Sequence, residues 1–294
     1  MIRFVVAASF SMLCIAAPAH AQDAIEPDRP DVTNGTHIVD IGLLQIEMGG
    51  VYTRAAAGQR EFGSPFTARV GLSDSLEVRF ATDGLLTESD GVMHTTGFGN
   101  IQIGAKLRLW PDPGGAPAVS LLTAVTLPTA SAAKGLGSGS TDYTLALLTG
   151  ADVGRHGHID VNYGIGDVGA GNGQPHFVQH LVAVSASAAA SDNWNPYVEA
   201  FWFSREDAGG RAMTAFDAGA IYQLGARYAL DAGLQFGISR NAPAFAAFGG
   251  VSLVVGEILG SRGAVGRQRQ AQRRAARRAP VSYTHLTLPT IYSV

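Results

Sequence analysis

The chain has 294 residues, with 37 glycines, 46% hydrophobic and 15% charged residues and a formal net charge of -3. That balance is too apolar for a disordered chain and too rich in glycine for a helical bundle. Beyond the N-terminus no stretch approaches the roughly 18 consecutive apolar residues of a membrane-crossing helix, which excludes a helical membrane protein.

The basic start ending at Arg3, the apolar run from Phe4 to Pro18 and the small-x-small sequence Ala19-His20-Ala21 predict a signal peptide over 1–21, cleaved before Gln22. The run is shorter than the roughly 20 residues an anchor needs. Cys14 is the chain's one cysteine, and the bulky Leu13 before it argues against lipid modification. Once it leaves with the signal, neither disulfides nor thiolate chemistry remain. Residues 22–42 are expected to form a periplasmic N-terminal segment ahead of a barrel over 43–256.

From residue 43 onward the sequence alternates. Leu44, Ile46, Met48, Gly50 and Tyr52 oppose Gln45, Glu47, Gly49, Val51 and Thr53, the period of a strand with one apolar face. Phe66 to Leu72 and Leu76 to Ala81 form a hairpin around Ser73-Asp74-Ser75, with Arg69, Glu77 and Arg79 on one face. Ile101 to Leu109 alternates most cleanly, placing Lys106 and Arg108 on the polar side, and stops at Trp110 and Pro111-Asp112-Pro113-Gly114-Gly115. Further segments lie near 117–127, 142–151, 158–166, 177–187, 195–204, 213–224, 228–238 and 245–255, which brings the expectation to about twelve strands.

The expected fold is all-β, a transmembrane antiparallel up-and-down barrel. In hydrocarbon every backbone group must be paired internally, so β-strands cross only as a closed barrel. The alternative is a soluble sandwich or lipocalin-like barrel with the apolar face inward. Charges of both signs recurring on one face, together with the export signal, favour a wet lumen and an apolar outside.

Past the barrel the charge changes character. Residues 22–260 hold 13 basic and 24 acidic residues, a net of 13 minus 24, or -11, whereas 262–278 carries seven arginines and no acid. Residues 257–280 thus form a basic tail of doubtful origin, and 281–294 reads as a translated sequencing adapter, excluded from structural argument.

No catalytic motif emerges. His156, His158 and Asp160 share a strand face, but they sit beside Gly154 and Gly157 at a turn, so no metal site is assigned. A barrel-embedded Ser-His lipid hydrolase is the enzymatic alternative, with His180 and Ser185, Ser187 or Ser204 as the available groups; no nucleophile motif supports it. Gly135 to Gly139 lacks the lysine and helix of a phosphate loop.

Several motifs in order and at matching spacing carry a resemblance: Asp28-Arg29-Pro30-Asp31 with Thr33, Leu44 to Gly49, Gly99 to Lys106, Thr126-Leu127-Pro128-Thr129, Gly137-Ser138-Gly139 with Asp142, and Pro196-Tyr197-Val198-Glu199. Over roughly residues 26–255 the chain resembles the bacterial family of transporters of the phenol meta-cleavage degradation pathway, a set of outer-membrane barrels. It departs from the family at Asn100, where aspartate is usual, and at Ala130, where glycine is usual. The resemblance implies passage of small, aromatic or hydrophobic compounds across the outer membrane.

The lumen-lining candidates are Glu47, Arg69, Glu77, Arg79, Lys106, Arg108, Glu199, Asp217, Asp231 and Gln235, which would hydrate the lumen and set its charge selectivity. The competing expectation is that they pair with one another and plug a narrow barrel. No cofactor is expected. The expected partners are outer-membrane lipid and lipopolysaccharide, the barrel assembly machinery and small solutes, with no nucleic acid. A structural barrel without transport remains the non-enzymatic alternative.

Overall fold

The computed structural model describes residues 25–260 except 31, 56–57, 111–116 and 172. The expected signal peptide, the tail beyond residue 260 and the Pro111 to Gly115 turn lie outside the described residues. No described helix is long and apolar enough to cross a membrane.

The described elements are strands β1 (Leu43–Arg54), β2 (Arg60–Gly63), β3 (Phe66–Gly71), β4 (Leu76–Thr82), β5 (Leu85–Ser89), β6 (His94–Phe98), β7 (Ile101–Trp110), β8 (Ala118–Leu127), β9 (Asp142–Val153), β10 (Gly157–Val168), β11 (Phe177–Ala188), β12 (Trp194–Phe203), β13 (Met213–Gln223), β14 (Tyr228–Gly237) and β15 (Phe245–Glu257), plus one 3-10 turn at Ala132–Lys134. Neighbours in the sheet pair antiparallel, and β15 closes on β1 from Leu43↔Glu257 to Arg54↔Phe245. Three passes of the wall are each built of two pieces, β2 with β3, β5 with β4 and β6 with β7, so the closed barrel has twelve antiparallel staves. Each segment expected from alternation falls on one stave. The outer arms β2, β5 and β6 were not expected as separate strands.

The three breaks, at Ser64-Pro65, Asp83-Gly84 and Gly99-Asn100, lie at one level, because Phe66 pairs with Thr82 and Thr82 with Ile101. Proline cannot donate to a ladder, and Gly84 has φ +67, with its Cβ position 1.9 Å from the Ser64 carbonyl oxygen. Here only glycine allows the chain to bend this tightly. The arms then form a small sheet reaching from β1 through β2 and β5 to β6. The β8–β9 loop packs on it: Lys134 Nζ donates to the Thr96 carbonyl at 3.0 Å, and Leu86, Ala130 and Leu136 form an apolar cluster.

Alternation inverts the polarity of an ordinary protein. Val161, Tyr163 and Ile165 on β10, Val178, Val182 and Val184 on β11, and Leu230, Leu234 and Phe236 on β14 are exposed on the outside. Gln45, Glu47, Arg69, Glu77, Lys106, Ser120, Asn162, Glu199 and Asp217 are buried on the inside. Aromatics mark both margins of the apolar band, with Trp194 and Tyr222 4.9 Å apart at one end and Phe236 and Phe245 6.1 Å apart at the other. Strands of 10–13 residues, from β7 to β15, reach about 33–43 Å at strand rise, enough to cross about 25 Å of hydrocarbon when tilted. Turns are short at one end, as at Leu72–Ser75 and Gly154–His156, and long at the other, as at 128–141.

The outward band makes a direct prediction. Val161→Arg, mid-strand on the outer face, should cost about 2–4 kcal/mol of stability in lipid, whereas Val161→Leu should cost less than about 1.5 kcal/mol. Denaturant unfolding in vesicles measures both, and equal tolerance of the two would mean that this face does not meet hydrocarbon.

Candidate functional site

The interior is occupied by the chain's own N-terminal segment. Ile25 enters at the short-turn end, donating its N–H to the Ala226 carbonyl while Gln223 Nε2 donates to the Ile25 carbonyl. The segment rises to Val32 and Thr33, turns, and descends through Thr36 and Val39 to Ile41, which bridges to Gly71 beside the start of β1. It thus forms an inner hairpin whose two ends lie at the same end of the barrel.

Its backbone lacks strand partners, so the wall's polar side chains satisfy it, as a buried backbone requires. Val32 N–H donates to Glu199 Oε2 at 2.9 Å, and Thr33 N–H to Glu199 Oε1 at 2.6 Å, while the Thr33 hydroxyl donates to the same carboxylate. Asn34 N–H donates to Asn162 Oδ1 at 2.7 Å, and Asn162 Nδ2 donates back to the Asn34 carbonyl at 3.0 Å. Ser120 Oγ donates to the Thr36 carbonyl at 2.9 Å, and Val39 N–H donates to Glu77 Oε2 at 2.9 Å.

A buried ion cluster pins the rising arm. Arg69, fully buried on β3, binds Glu77 through Nε and Nη2 at 2.9 and 3.0 Å and Glu47 through Nη1 at 2.9 Å. Asp28 of the segment sits against Lys106 Nζ at 2.7 Å, Arg79 Nη1 at 2.6 Å and Arg69 Nη1 at 3.5 Å. Asp28, Glu47 and Glu77 thus balance Arg69, Arg79 and Lys106. Without Asp28 the wall would hold an excess of positive charge in a poorly hydrated space, so the segment completes the neutralisation.

A second pair forms where Arg29 reaches Asp231 on β14 at 3.2 Å. Glycine makes room for its guanidinium. A Cβ at Gly49 would lie 2.3 Å from Arg29 Nη2, and one at Gly250 2.7 Å from the same atom. The glycines on β1 and β15 thus give the arginine space between the wall and Asp231.

All ten lumen-lining candidates lie on the inward phase of their strands, but the structure divides them. Glu47, Arg69, Glu77, Arg79 and Lys106 meet in one cluster with Asp28. Glu199 caps the hairpin's turn and Asp231 holds Arg29. Asp217 stands directly opposite Glu199, and Gln235 opposite Asp217, away from the ion cluster. Arg108 lies below the cluster, its N–H bonded to the Ser75 carbonyl at the short-turn end. Unforeseen from the sequence were the partners: Asp28, Arg29 and Thr33 on the segment, and Ser120 and Asn162 on the wall. The signal was present in Asp28-Arg29 and Thr33, a charged and hydroxylic stretch without strand period facing a wall that carries matching charges.

Toward the long-loop end the inner wall changes character. Phe201, Met213, Ala183 and Ala215 form an apolar cluster with Ala242, against which Leu181, Phe203 and Val32 pack. Phe201 and Phe203 meet edge to face at 6.0 Å.

The remaining sequence candidates fall elsewhere. His158 lies between Asp152 at 2.7 Å and Asp160 at 3.3 Å at the short-turn end. His180 faces outward, with Nδ1 2.9 Å from the Tyr163 hydroxyl, while Ser185 and Ser187 occupy the inward phase of the same strand. Ser204 meets the His180 backbone, its hydroxyl accepting the His180 N–H at 2.9 Å and its own N–H donating to the His180 carbonyl at 2.9 Å, without reaching the imidazole. The residues considered for a hydrolytic dyad are therefore not brought together.

The ion cluster's role separates wall from segment. Arg69→Met should destabilise the barrel by about 3–5 kcal/mol, since it strands Glu47 and Glu77 in the wall. Asp28→Asn should cost less, because the segment can withdraw and rehydrate, and should leave residues 25–40 open to protease. Unfolding in lipid and limited proteolysis measure the two, and equal losses of barrel stability would contradict this division.

The fold agrees with that of an outer membrane channel from Pseudomonas putida F1, with a TM-score of 0.59 at 14% identity over 76% of this chain and 100% of that one. The NanC porin, at a TM-score of 0.49, 9% identity and coverage of 71% and 98%, and the KdgM porin in complex with disordered oligogalacturonate, at 0.47, 8% and coverage of 71% and 98%, are too distant to add to that assignment. No curated protein matches the chain. The model of the family described as "Putative MetA-pathway of phenol degradation" matches residues 27–254, from the inner hairpin to the last strand, and the chain belongs to that family.

Proposed function

We propose that the chain is an outer-membrane channel for small apolar, chiefly aromatic, solutes, with its short turns in the periplasm and its long loops outside the cell. The observation that carries this reading is the division of the inner wall. Its half near the short turns is charged and filled by the N-terminal hairpin, while toward the long loops β11 to β13 present an apolar patch of Leu181, Phe201, Phe203 and Met213. A wall built for hydrated ions or sugars would offer polar groups along its whole length. An apolar patch on the inner wall instead favours solutes with little hydration to lose.

The family's association with phenol degradation supports an aromatic solute. In this reading the signal peptide is cleaved near Ala21. The barrel assembly machinery inserts the strands among lipid and lipopolysaccharide. The inward candidates tune the charge of the lower lumen, mainly by seating the hairpin, and the channel works without a cofactor. Neither a purely structural barrel nor a lipid hydrolase is favoured by a specific observation, and His180 faces away from Ser185 and Ser187.

The test is uptake into vesicles whose outer leaflet carries lipopolysaccharide, which slows the unaided entry of apolar molecules. The chain should speed toluene entry well above protein-free vesicles, pass a neutral hexose poorly and show little steady ionic conductance. Free passage of hexose with large conductance steps, and no effect on toluene, would overturn the proposal.

A further inference from the structure

The hairpin's turn packs one apolar side chain, Val32, against the cluster of Phe201, Met213, Ala183, Ala215 and Ala242, on which Leu181 and Phe203 also pack. The adjoining contacts on the turn are polar: Glu199 with Val32 N–H and Thr33, Asn162 with Asn34, and Asp231 with Arg29. Val32 is therefore an apolar knob on a polar strap, packed against a cluster in which two phenyl rings meet edge to face.

We infer that this cluster is a binding site for a small aromatic hydrocarbon, that Val32 occupies it in the closed state, and that solute and hairpin turn exclude one another. The inference rests on the proposed passage of apolar solutes and goes further by naming the site and its competitor. An apolar space of about 150 Å³ lined by Leu, Ile and Phe side chains is known to stay dry and to hold benzene, and withdrawal of a whole turn vacates space of that order.

The strap is built to withdraw. It is covalently continuous with the wall only through Ile41 and Gly42, and Gly42 has φ +79, a left-handed conformation that lets the chain reverse direction there. Because both of its ends lie at the short-turn end, the turn can retreat toward that end without threading chain through the barrel. Polar contacts inside the barrel can be exchanged for water as it leaves, and the ion cluster around Asp28 lies below the turn, so the turn can yield while Asp28 stays seated.

Energetically the solute must favour the withdrawn state, and its apparent affinity is its intrinsic affinity multiplied by the fraction of chains with the site vacant. Loosening the turn should therefore tighten binding, while damaging the pocket should weaken it. Opposite signs from neighbouring residues are not produced by a general loss of structure.

The probe is toluene, added to the full chain in detergent micelles, with binding followed by calorimetry and backbone exchange by mass spectrometry. Saturating toluene should raise hydrogen exchange at Val32 and Thr33 and leave β10 to β14 unchanged. Thr33→Val, which removes the hydroxyl bond to Glu199 while conserving volume, should tighten apparent affinity by about three- to tenfold. Phe203→Ala should weaken it by at least about tenfold. A Thr33→Cys/Glu199→Cys pair joined by a short thiol-reactive linker should abolish binding, and the unlinked pair should bind.

Binding without increased exchange at Val32 and Thr33, or unchanged affinity in Thr33→Val, would overturn the site. The vesicle assay separates this from failure of the broader reading. Toluene uptake that persists in the linked protein refutes the competitor role and leaves passage standing. Binding that obeys all three variants without accelerated uptake supports the site and refutes passage.

Discussion

Everything in this structure follows from the absence of water in hydrocarbon. A backbone crossing a membrane as strands must pair every donor and acceptor with its own sheet, so the sheet has to close. Here closure is made by thirteen-residue β15 along twelve-residue β1. Once closed, alternation does the rest: each stave gives one face to lipid and one to the interior, and the apolar face must be the outer one. The inward polar residues of β10 to β14, such as Asn162, Ser185, Glu199, Asp217 and Asp231, and the outward apolar residues between them are two consequences of that one constraint.

Closure creates a second problem, which is what to put inside. Charges such as Arg69, Glu77 and Lys106 are fully buried, and a narrow twelve-stave barrel offers them too little water for solvation. The wall answers partly with itself, through Arg69 bridging Glu47 and Glu77, and partly with the N-terminal hairpin, whose Asp28 completes the charge balance. The same hairpin would otherwise be irregular backbone at membrane depth, which is tolerated only where protein surrounds it. Wall and hairpin thus satisfy each other: the wall supplies acceptors and donors for a backbone without ladder partners, and the hairpin supplies the missing negative charge.

The strands were legible because alternation is a local signal. Leu44 to Thr53 and Ile101 to Leu109 display inward and outward phases plainly, and Glu47, Arg69, Glu77 and Lys106 share the buried phase. What those residues touch was not legible, since Asp28 and Lys106 lie 78 residues apart and their meeting depends on how the barrel closes. Nor did Asp28 to Val39 show any period, because a strap bonded to side chains has no repeating geometry. The broken upper arms were hidden for a related reason: β2 has only four residues and β5 and β6 five each, too few for alternation to register. The expectation that the inward charges hydrate an open lumen and the rival that they pair with one another to plug it both left out the N-terminal segment, whose Asp28 meets Arg79 and Lys106.

The claim on which the account rests is that this N-terminal segment lies inside the barrel. The direct measurement is thiol accessibility in lipid vesicles, comparing a single cysteine at Asn34 with one at Val92, an exposed loop residue in the β5–β6 connection. Cysteine at 92 should react with a membrane-impermeant maleimide at the rate of a free thiol, while cysteine at 34 should react at least about a hundredfold more slowly and approach the free rate when Asp28→Asn and Arg29→Gln are added. Equal, fast labelling at both positions in the otherwise unchanged chain would contradict the account.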